Sequence, residues 1–445
     1  MKLAIHNEVA VSNDEVRQLD RAYVFHSWSM QGNLHPLVIA GAQGCELWDY
    51  EGNTWLDFSS QLVNVNIGYQ HPRVLAAMKA QLETLVTIAP ATANLARGEA
   101  AKRIVDLAPA GFSKVFFTNA GADANENAIR MARLYTGRDK VLSAYRSYHG
   151  NTGSAIAATG DWRRVPNEFS RGHVHFFNPY LYRSEFNAVT EEEECQRALA
   201  HLRRIIECEG PTAIAAILLE SIPGTAGILV PPAGYMQGVR ALADEFGIVL
   251  ILDEVMAGFG RTGSWFAFEQ DGVVPDLVTF AKGVNAGYVP AGGVLISEPI
   301  ARYFDDHFFA GGLTYSGHPL AMAAIVATID AMKEEKVVEN AAYIGNEVLR
   351  PGLEALAEKH AIIGEVRGRG LFQALELVSS REQKTPLTAA DMAAIKGALT
   401  EAGLLAFVVE NRIHVVPPCT ITAEQVAQGL AIFDAVFARF ASLAK

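Results

Sequence analysis

Between His71 and Pro319 the chain alternates short apolar segments with amphipathic segments, and this alternation constrains the fold more than any other feature of the sequence. Short apolar runs bounded by turn residues indicate buried strands, whereas longer amphipathic stretches indicate helices. The alternation predicts a mainly parallel sheet covered by helices. The best strand candidates are Lys114 to Thr118, Lys140 to Ala144, Ala213 to Leu219, Ile248 to Asp253 and Leu277 to Phe280.

The two ends of the chain differ from this middle region and are similar to each other in their pattern of predicted elements. An antiparallel pair of strands is predicted on either side of the turn 51–53. The sequence further predicts a polar helix from about Asp14 to Phe25, helices from Pro319 to about Lys359, strands near 362–366, 371–377 and 413–416, and a closing helix from Thr422 to about Phe440. We therefore predict a large α/β domain of residues 71–319 and a smaller α+β domain built from residues 1–70 and 320–445.

Composition favours a soluble protein that acts on small molecules. Half of the 445 residues are hydrophobic and 19% are charged, which allows a substantial core. The net charge of -12 argues against a general nucleic-acid or membrane surface, because such surfaces need clustered Lys and Arg. Neither a signal peptide in residues 1–8 nor an apolar run long enough to span a membrane is recognised.

The cysteines give no sign of a disulfide framework or a zinc site. They are scattered without CxxC or His-Cys spacing, at Cys45, Cys195, Cys208 and Cys419. This usage fits a reduced compartment, and we expect a cytoplasmic protein without a metal site.

The predicted strand that ends at Asp253 carries two acids, Asp253 and Glu254, at the edge where α/β enzymes bind their ligands. Two solvated loop acids are the structural alternative. A Walker-B aspartate is excluded because the chain has no G-x-x-x-x-G-K-[ST] motif. A dinucleotide site has some support, since Gly258 to Gly263 matches G-x-G-x-x-G, but those glycines precede an aromatic loop instead of opening a helix.

Lys282 follows Asp253 by 29 positions and lies just after the predicted strand Leu277 to Phe280. This pair meets the two requirements of pyridoxal phosphate (PLP) chemistry. The amine can form a Schiff base, and the carboxylate can keep the pyridine nitrogen protonated. We therefore take Lys282 and Asp253 as the candidate catalytic residues.

Two further segments fit a phosphorylated planar cofactor. The strand that begins at Val115 turns through Gly121 into a helix, whose free N–H groups suit a phosphate. The alternative is a tight turn with Asn119 as the N-cap. Tyr148, followed by His149, could lay its ring over the cofactor, although an aromatic residue beside a histidine is more often a packing residue.

Taken together, these motifs resemble the class III, or ω-amino acid, aminotransferases of PLP fold type I. The resemblance covers nearly the whole chain in the correct order. Within that family the chain is most similar to the amine:pyruvate transaminases, partly through residues 314–319 and 366–371. The matching segments are 118–126, 148–150, 253–263, 281–283 and 313–319.

The resemblance implies a fold with a seven-stranded, mainly parallel sheet, a PLP cofactor and a homodimer with shared active sites, which could pair into a tetramer. It makes Lys282 the Schiff-base lysine and Asp253 the partner of the pyridinium nitrogen. Thr314 would contact the cofactor of the neighbouring subunit. The other cofactor contacts that it implies are Gly121 and Ala122 for the phosphate, Tyr148 and Val255 for the two ring faces, and His149 and Glu220 in the surrounding hydrogen-bond network.

The implied reaction moves an amino group from an amine or ω-amino acid to a keto acid such as pyruvate. Lys282 would be displaced by the donor and would then carry out the 1,3-proton transfer. A PLP-dependent lyase, decarboxylase or isomerase on the same fold is the alternative, because fold does not fix the reaction.

The predicted substrate pocket departs from an amine:pyruvate enzyme. Ala120 replaces a serine, and Val63 and Ala89 replace large aromatic residues, which widens the pocket unless neighbouring residues repack. Phe407 occupies the position of an arginine that clamps the acceptor carboxylate in relatives. Arg412 could take that role or could be an ordinary surface arginine. The predicted pocket residues are Leu62, Val63, Ala89, Tyr148 and Arg412.

Overall fold

The computed structural model describes residues 11–167 and 170–445, so the expectation for residues 1–8 lies outside the described part of the chain. The strands in chain order are β1 (Gly41–Gln43), β2 (Glu46–Trp48), β3 (Thr54–Asp57), β4 (Phe112–Thr118), β5 (Lys140–Ala144), β6 (His173–Phe176), β7 (Ile214–Glu220), β8 (Val249–Asp253), β9 (Leu277–Phe280), β10 (Gly292–Ser297), β11 (Ile363–Arg369), β12 (Phe372–Ser380), β13 (Thr385–Pro386), β14 (Leu404–Leu405), β15 (Phe407–Val409) and β16 (Arg412–Val415).

The α-helices are α1 (Asn13–Tyr23), α2 (Ser60–Val63), α3 (Pro72–Thr84), α4 (Leu95–Leu107), α5 (Gly121–Thr136), α6 (Gly153–Ala158), α7 (Glu191–Glu209), α8 (Tyr235–Phe246), α9 (Glu298–Asp306), α10 (Pro319–Glu334), α11 (Val337–Tyr343), α12 (Arg350–Lys359), α13 (Ala389–Glu401) and α14 (Ala423–Arg439). Capping boxes begin α1, α13 and α14. Within the described ranges, no helix is long and apolar enough to cross a lipid bilayer.

A seven-stranded sheet forms the centre of the molecule, in the order β4-β10-β9-β8-β7-β5-β6. The five strands predicted from the apolar runs all occur, with ends within two residues of the prediction. Every residue of β7 and β8 is buried, as expected for parallel strands covered on both faces. β10 runs antiparallel to both of its neighbours, so the sheet is mainly but not wholly parallel, which confirms the predicted fold class.

Helix α5 packs against one face of this sheet through small side chains. Ala124, Ala128 and Ala132 recur every four residues, face the sheet and are fully buried. Gly137 ends the helix with a φ of 66°, a left-handed conformation that glycine adopts without steric cost. The first turn of α5 is thereby held at the carboxyl edge of the strands.

The two ends of the chain meet in the smaller sheets. One sheet has the order β1-β2-β3-β14, in which β14 from the C-terminal part pairs with β3 from the N-terminal part. A second sheet has the order β11-β12-β16-β15. The pairing of β14 with β3 agrees with a smaller domain assembled from both ends, whose boundaries stay a prediction.

The glycine motif from Gly258 to Gly263 forms consecutive turns and opens no helix. The next helical element is a short 3-10 turn, Ala267–Asp271. The motif instead carries the buried Arg261, which donates to the carbonyl oxygen of Pro417 and, at 3.0 Å, to Oδ1 of Asn66. These glycines therefore serve a turn that ties three distant parts of the chain together.

Candidate active site

Three parallel strands end side by side at one edge of the large sheet. Glu220, the last residue of β7, is paired in register with Asp253, the last residue of β8, and Asp253 is paired with Thr279 of β9. Lys282 follows β9 after one intervening residue. Because parallel strands present their carboxyl ends at the same edge, the two sequence-predicted catalytic residues are brought to one site together with Glu220.

The Asp253 carboxylate is 3% exposed and accepts hydrogen bonds from three groups. The Val255 N–H donates to Oδ1 at 3.0 Å, and the amide of Asn125 donates to Oδ2 at 2.7 Å. Nδ1 of His149 lies 2.8 Å from Oδ2, so we assign the proton to Nδ1, because a carboxylate can only accept. These contacts hold the carboxylate in one orientation.

Two of the residues that orient Asp253 were not singled out from the sequence. The hydroxyl of Thr279 donates to Oδ1 of Asn125 at 2.7 Å, which fixes the amide so that its nitrogen faces Asp253. Asn125 and Thr279 are 1% and 0% exposed. The register of β8 with β9, which places Thr279 beside Asp253, is the signal that could have identified Thr279.

Lys282 is partly buried and adopts a φ of 45°, a left-handed conformation that is uncommon for a residue with a side chain. Burial lowers the pKa of Lys282, although the negative charges of Asp253 and Glu220 oppose that shift. A lowered pKa increases the fraction of neutral amine, which is the form that acts as nucleophile and base.

Glu220 is also held by backbone donors. Its carboxylate accepts from the N–H of Tyr148 at 3.0 Å and from the N–H of Gly224 at 2.7 Å. Burial raises the pKa of Glu220, and nearby Asp253 adds to the rise while His149 opposes it. Glu220 therefore links the Tyr148 segment and the loop after β7 to the same edge of the sheet.

The start of α5 has the features of an anion cradle. The N-cap residue is Ala120, whose side chain makes no capping hydrogen bond, so the alternative with Asn119 as N-cap is wrong. A Cβ on Gly121 would lie 2.9 Å from the Val255 methyl groups, and a Cβ on Gly150 would lie 2.5 Å from that of Ala122. Glycine at both positions lets Val255 and the Gly150 loop approach the first turn of the helix closely.

Tyr148 is half-buried, and one face of its ring is already covered. The guanidinium carbon of Arg163 lies 4.0 Å from the ring centroid, and the Trp28 ring meets Tyr148 edge-on at 6.5 Å. Arg163 also donates from Nε to Asp161 at 2.9 Å. Neither Trp28 nor Arg163 was identified from the sequence, because each is distant along the chain from the strand ends.

The pocket residues near α2 have different environments. Val63 is 1% exposed with a φ of 60° and belongs to an apolar cluster that includes Met256 and Phe407, whereas Leu62 is 45% exposed. This cluster supports the repacking alternative for the small residue at Val63.

Ala89 and Thr314 are exposed, so their own chain does not enclose them in a pocket. Arg97 connects the two segments that carry them, because it donates to the carbonyl oxygen of Pro90 at 2.9 Å and to that of Gly317 at 3.1 Å. Both segments therefore lie on one surface of the protomer, and the predicted role of Thr314 toward a neighbouring subunit stays a prediction.

Arg412 is 4% exposed, so the alternative of an ordinary surface arginine is wrong. It forms an ion pair with Glu410, and its side chain lies against Gly227 in the loop after β7. The structure brings Arg412 to the same loop that Glu220 holds, while its predicted contact with substrate stays a prediction.

These residues suit a PLP cofactor. An uncapped helix start with close glycines can hold a phosphate, a buried carboxylate can face a ring nitrogen, and a lysine at the same edge of the sheet can reach an aldehyde. His149 supports this fit, since its Nε2 is buried and makes no hydrogen bond with any residue in 11–167 or 170–445.

Comparison with known proteins gives consistent matches along most of the chain. A family model described as aminotransferase class-III matches residues 28–437. The taurine–pyruvate aminotransferase of Rhodobacter capsulatus is 35% identical over 87% of both chains. The 4-aminobutyrate aminotransferase GabT of Escherichia coli is 35% identical over 91% of this chain and 94% of its own.

Solved structures match equally well. The crystal structure of a taurine:2-oxoglutarate aminotransferase from Bifidobacterium kashiwanohense, in complex with PLP and glutamate, superposes with a TM-score of 0.94. The two proteins are 44% identical, over 97% of this chain and 99% of the other.

Proposed function

This chain belongs to the class III aminotransferases, and we propose that Lys282 and Asp253 carry its reaction. As a member of that family it is a PLP-dependent enzyme that transfers an amino group from an amine or ω-amino acid to a keto acid. When bound, the cofactor supplies an aldehyde carbon for the amine and a ring that accepts electrons from the substrate carbon. The observation that carries the assignment is the convergence of Lys282, Asp253 and Glu220 at adjacent strand ends.

Lys282 has two successive roles in this proposal. Its Nζ atom would hold the cofactor through the aldehyde carbon and would become free once the donor amine has taken that place. The released Nζ then takes the proton from the substrate's amine-bearing carbon and returns it on the cofactor side. Burial lowers the pKa of Lys282, which favours the neutral amine that both roles need.

Asp253 would face the ring nitrogen of the bound cofactor and stabilise its protonated form. Its two oxygens are fixed by Val255, Asn125 and His149, so the carboxylate does not reorient during the reaction. The N–H groups of Gly121 and Ala122 would hold the phosphate. Val255 and Tyr148 would bound the two ring faces, and Glu220 would complete the polar network.

We also propose that the amino donor carries an anionic group. Arg163 supports this proposal, because its guanidinium lies over Tyr148 at the side of the cofactor-facing residues. A planar guanidinium pairs well with a carboxylate or sulfonate. The taurine and 4-aminobutyrate enzymes named above act on donors of that kind by their names.

The oligomer that we propose is a homodimer with shared active sites, which leaves pairing into a tetramer possible. The exposed large apolar residues support it, since the surface that carries Ala89 and Thr314 also carries Val86, Leu95 and Tyr315, which are 40%, 80% and 62% exposed. Apolar surface of this kind marks a protein interface. Sedimentation equilibrium tests the dimer, and a monomer at micromolar concentration would contradict it.

We further propose a large domain of residues 71–319 with a smaller domain from both ends, and a cytoplasmic location. The arrangement of the sheets supports the first. The four free cysteines support the second, because an oxidising compartment favours disulfides.

A donor screen tests the proposed function. The purified holoenzyme is incubated with pyruvate and taurine, β-alanine, putrescine or 1-phenylethylamine, and alanine, ammonia and carbon dioxide are measured. We expect alanine to form fastest with taurine or β-alanine. Release of ammonia or carbon dioxide without alanine would instead indicate a lyase or decarboxylase.

A further inference from the structure

One buried guanidinium connects the predicted pocket turn α2 to the segment that leads to Lys282. Arg261 is fully buried. Its Nη2 atom donates to Oγ of Ser60, in α2, at 3.1 Å and to Oδ1 of Asn66 at 3.0 Å. Its Nη1 atom donates to the carbonyl oxygen of Leu371 at 3.3 Å and to that of Pro417. These neutral acceptors fix the planar group in one position.

Asn66 lies between this guanidinium and the backbone beside Lys282. It is 1% exposed, and its Nδ2 atom donates to the carbonyl oxygen of Phe259 at 2.7 Å. Because both ends of the amide are bonded, the side chain is held in one orientation. A Cβ on Gly283 would lie 2.3 Å from Nδ2 of Asn66, so the amide packs directly on the residue that follows Lys282.

Both segments that meet this network have backbone in the left-handed region. Lys282 has a φ of 45°, and Ser60 has a φ of 44°. Residues with a side chain adopt such conformations at a cost, and they keep them where the surrounding contacts enforce them. The Ser60 hydroxyl is fixed further, since it donates to the carbonyl oxygen of Val416 at 2.7 Å. The contacts of Arg261 and Asn66 therefore oppose relaxation of both segments.

We propose that Arg261 and Asn66 are positioning residues for Lys282, which act through the backbone of Gly283 and direct the Nζ atom of the lysine. The proposal rests on the proposed function, because it takes Lys282 as the reacting amine. Proton transfer by Nζ depends on distance and direction, so a small shift of this backbone lowers the rate more than it weakens binding. The bond from Arg261 to Ser60 keeps the pocket turn in place relative to the same lysine.

Asn66→Ala tests the proposal, since it opens space beside Gly283 and leaves Arg261 its acceptors on Ser60, Leu371 and Pro417. On the holoenzyme, kcat, KM for the donor and the melting temperature are measured, and the absorbance of the bound cofactor is titrated with pH. We expect kcat to fall about tenfold to 100-fold, with KM changed less than about threefold. The midpoint of the absorbance titration should shift by about half a pH unit or more, because it depends on the surroundings of Nζ.

Gly283→Ala tests the contact itself. The φ of Gly283 lies outside the left-handed region, so alanine fits the backbone, and the closest contact of its Cβ is with Asn66. In the wild-type background the substitution should lower kcat about tenfold or more. In the Asn66→Ala background the space is open, so the same substitution should lower kcat less than about twofold. Equal losses in the two backgrounds would overturn the proposal.

Arg261→Gln removes the planar fork and keeps one amide donor. We expect a loss in kcat of about tenfold or more, and little additional loss when it is combined with Asn66→Ala, because both residues act through Gly283. Full additivity of the two losses would contradict that shared route. Where Arg261→Gln does not fold, the Asn66 and Gly283 variants still decide the proposal.

Arg138→Gln is the matched control, because Arg138 also holds backbone carbonyl groups, but at the opposite edge of the large sheet. It donates to the carbonyl oxygens of Ile214 at 3.2 Å and Gly247 at 2.9 Å, at the starts of β7 and β8. We expect a lower melting temperature with kcat within about twofold of the wild type and an unchanged absorbance midpoint. A shift of the midpoint equal to that of Asn66→Ala would show that it follows general destabilisation, and would overturn the positioning role.

Asn66→Ala with the kcat and the absorbance midpoint of the wild type would likewise overturn the proposal. Failure of the proposed function gives a different result. In that case Lys282→Ala would keep its activity, or reduction with borohydride would attach the cofactor to another residue.

Discussion

The site has two polar regions that differ in how completely their hydrogen bonds are satisfied. The first, which we name the cofactor floor, comprises Asn125, His149, Glu220, Asp253 and Lys282. The second, which we name the arginine wall, comprises Arg146, Arg367, Arg412 and His414. On the floor each carboxylate accepts two or more short hydrogen bonds and Nε2 of His149 is left without a partner, whereas the wall retains several buried nitrogens that have no hydrogen-bond partner among residues 11–167 and 170–445.

This difference separates chemistry from selectivity. A satisfied network holds its groups in one geometry, which suits a reaction that is the same for every substrate. A wall with free donors gains stability only from a matching ligand, so its energy depends on which substrate is bound. Substitutions on the floor should therefore lower kcat with every donor.

The largest effect is expected for Lys282→Ala on the floor. Removal of the amine eliminates both the bond to the cofactor and the proton carrier, so kcat should fall about 10⁴-fold or more with every donor. Rates with taurine and with a neutral amine should fall together. A variant that retained a tenth of the wild-type rate would remove Lys282 from the mechanism.

Asp253→Asn should have the second largest effect, a loss of about 10²- to 10³-fold in kcat. The amide keeps the shape of the carboxylate and removes the charge that stabilises the protonated ring nitrogen. Cofactor affinity, measured by titrating the cofactor-free protein, should fall much less than the rate. A near-normal rate would contradict the electrostatic role of Asp253.

Arg163→Met should affect selectivity instead of the common chemistry. Loss of the guanidinium should raise KM for taurine and β-alanine about tenfold to 100-fold, as expected for a charge-assisted hydrogen bond. The kinetics with 1-phenylethylamine should hardly change and serve as the control. An equal effect on both kinds of donor would mean that Arg163 only packs on Tyr148.

Asn125→Ala tests whether the floor depends on residues that do not touch the reacting atoms. With one hydrogen bond to Asp253 lost, kcat should fall about tenfold. Thr279→Val should have a smaller effect in the same direction, since it leaves the amide in place but free to turn. Because the expected cause is a misplaced Asp253, the double variant Asn125→Ala with Asp253→Asn should show little additional loss, and full additivity would contradict that cause.

The smallest effect on activity is expected for Glu254→Gln. Burial raises the pKa of Glu254 to about 7, although Ser221 and two backbone N–H groups oppose the shift. A folded-state pKa above the unfolded value means that its contribution to stability is present below pH 4.5 and is lost as pH rises through about 7.

The melting temperature of the glutamine variant should therefore fall less between pH 5 and pH 8 than that of the wild type. Its rates should stay within about twofold of the wild type. An identical pH dependence of the melting temperature in the two proteins would show that Glu254 does not titrate in that range.

Part of the floor could be predicted from strand geometry, whereas Glu220 and His149 were identified through the resemblance to the class III family. Aliphatic runs identified β7, β8 and β9, and parallel strands place their final residues at one edge, which brings Glu220, Asp253 and Lys282 together. Asn125 was missed because it lies inside helix α5, where a polar residue gives no local sign that it faces a carboxylate.

The wall could not be predicted because its members come from separate segments that meet only in the tertiary structure. The antiparallel register of β12 with β16 places Glu376 opposite Arg412, and no local pattern reveals that pairing. The sequence likewise did not show whether Arg412 is exposed or buried, because a strand start can be buried by elements far along the chain. Ala89 and Thr314 are exposed on this chain, so their predicted roles stay predictions.

The identity of the lysine that bonds to PLP tests the central claim most directly. The holoenzyme is treated with borohydride, which makes that bond permanent, and is then digested and analysed by mass spectrometry. We predict that the mass of the reduced cofactor is found on the peptide that contains Lys282 and on no other peptide. Attachment to a different lysine, or no attachment in an active preparation, would contradict the assignment of Lys282.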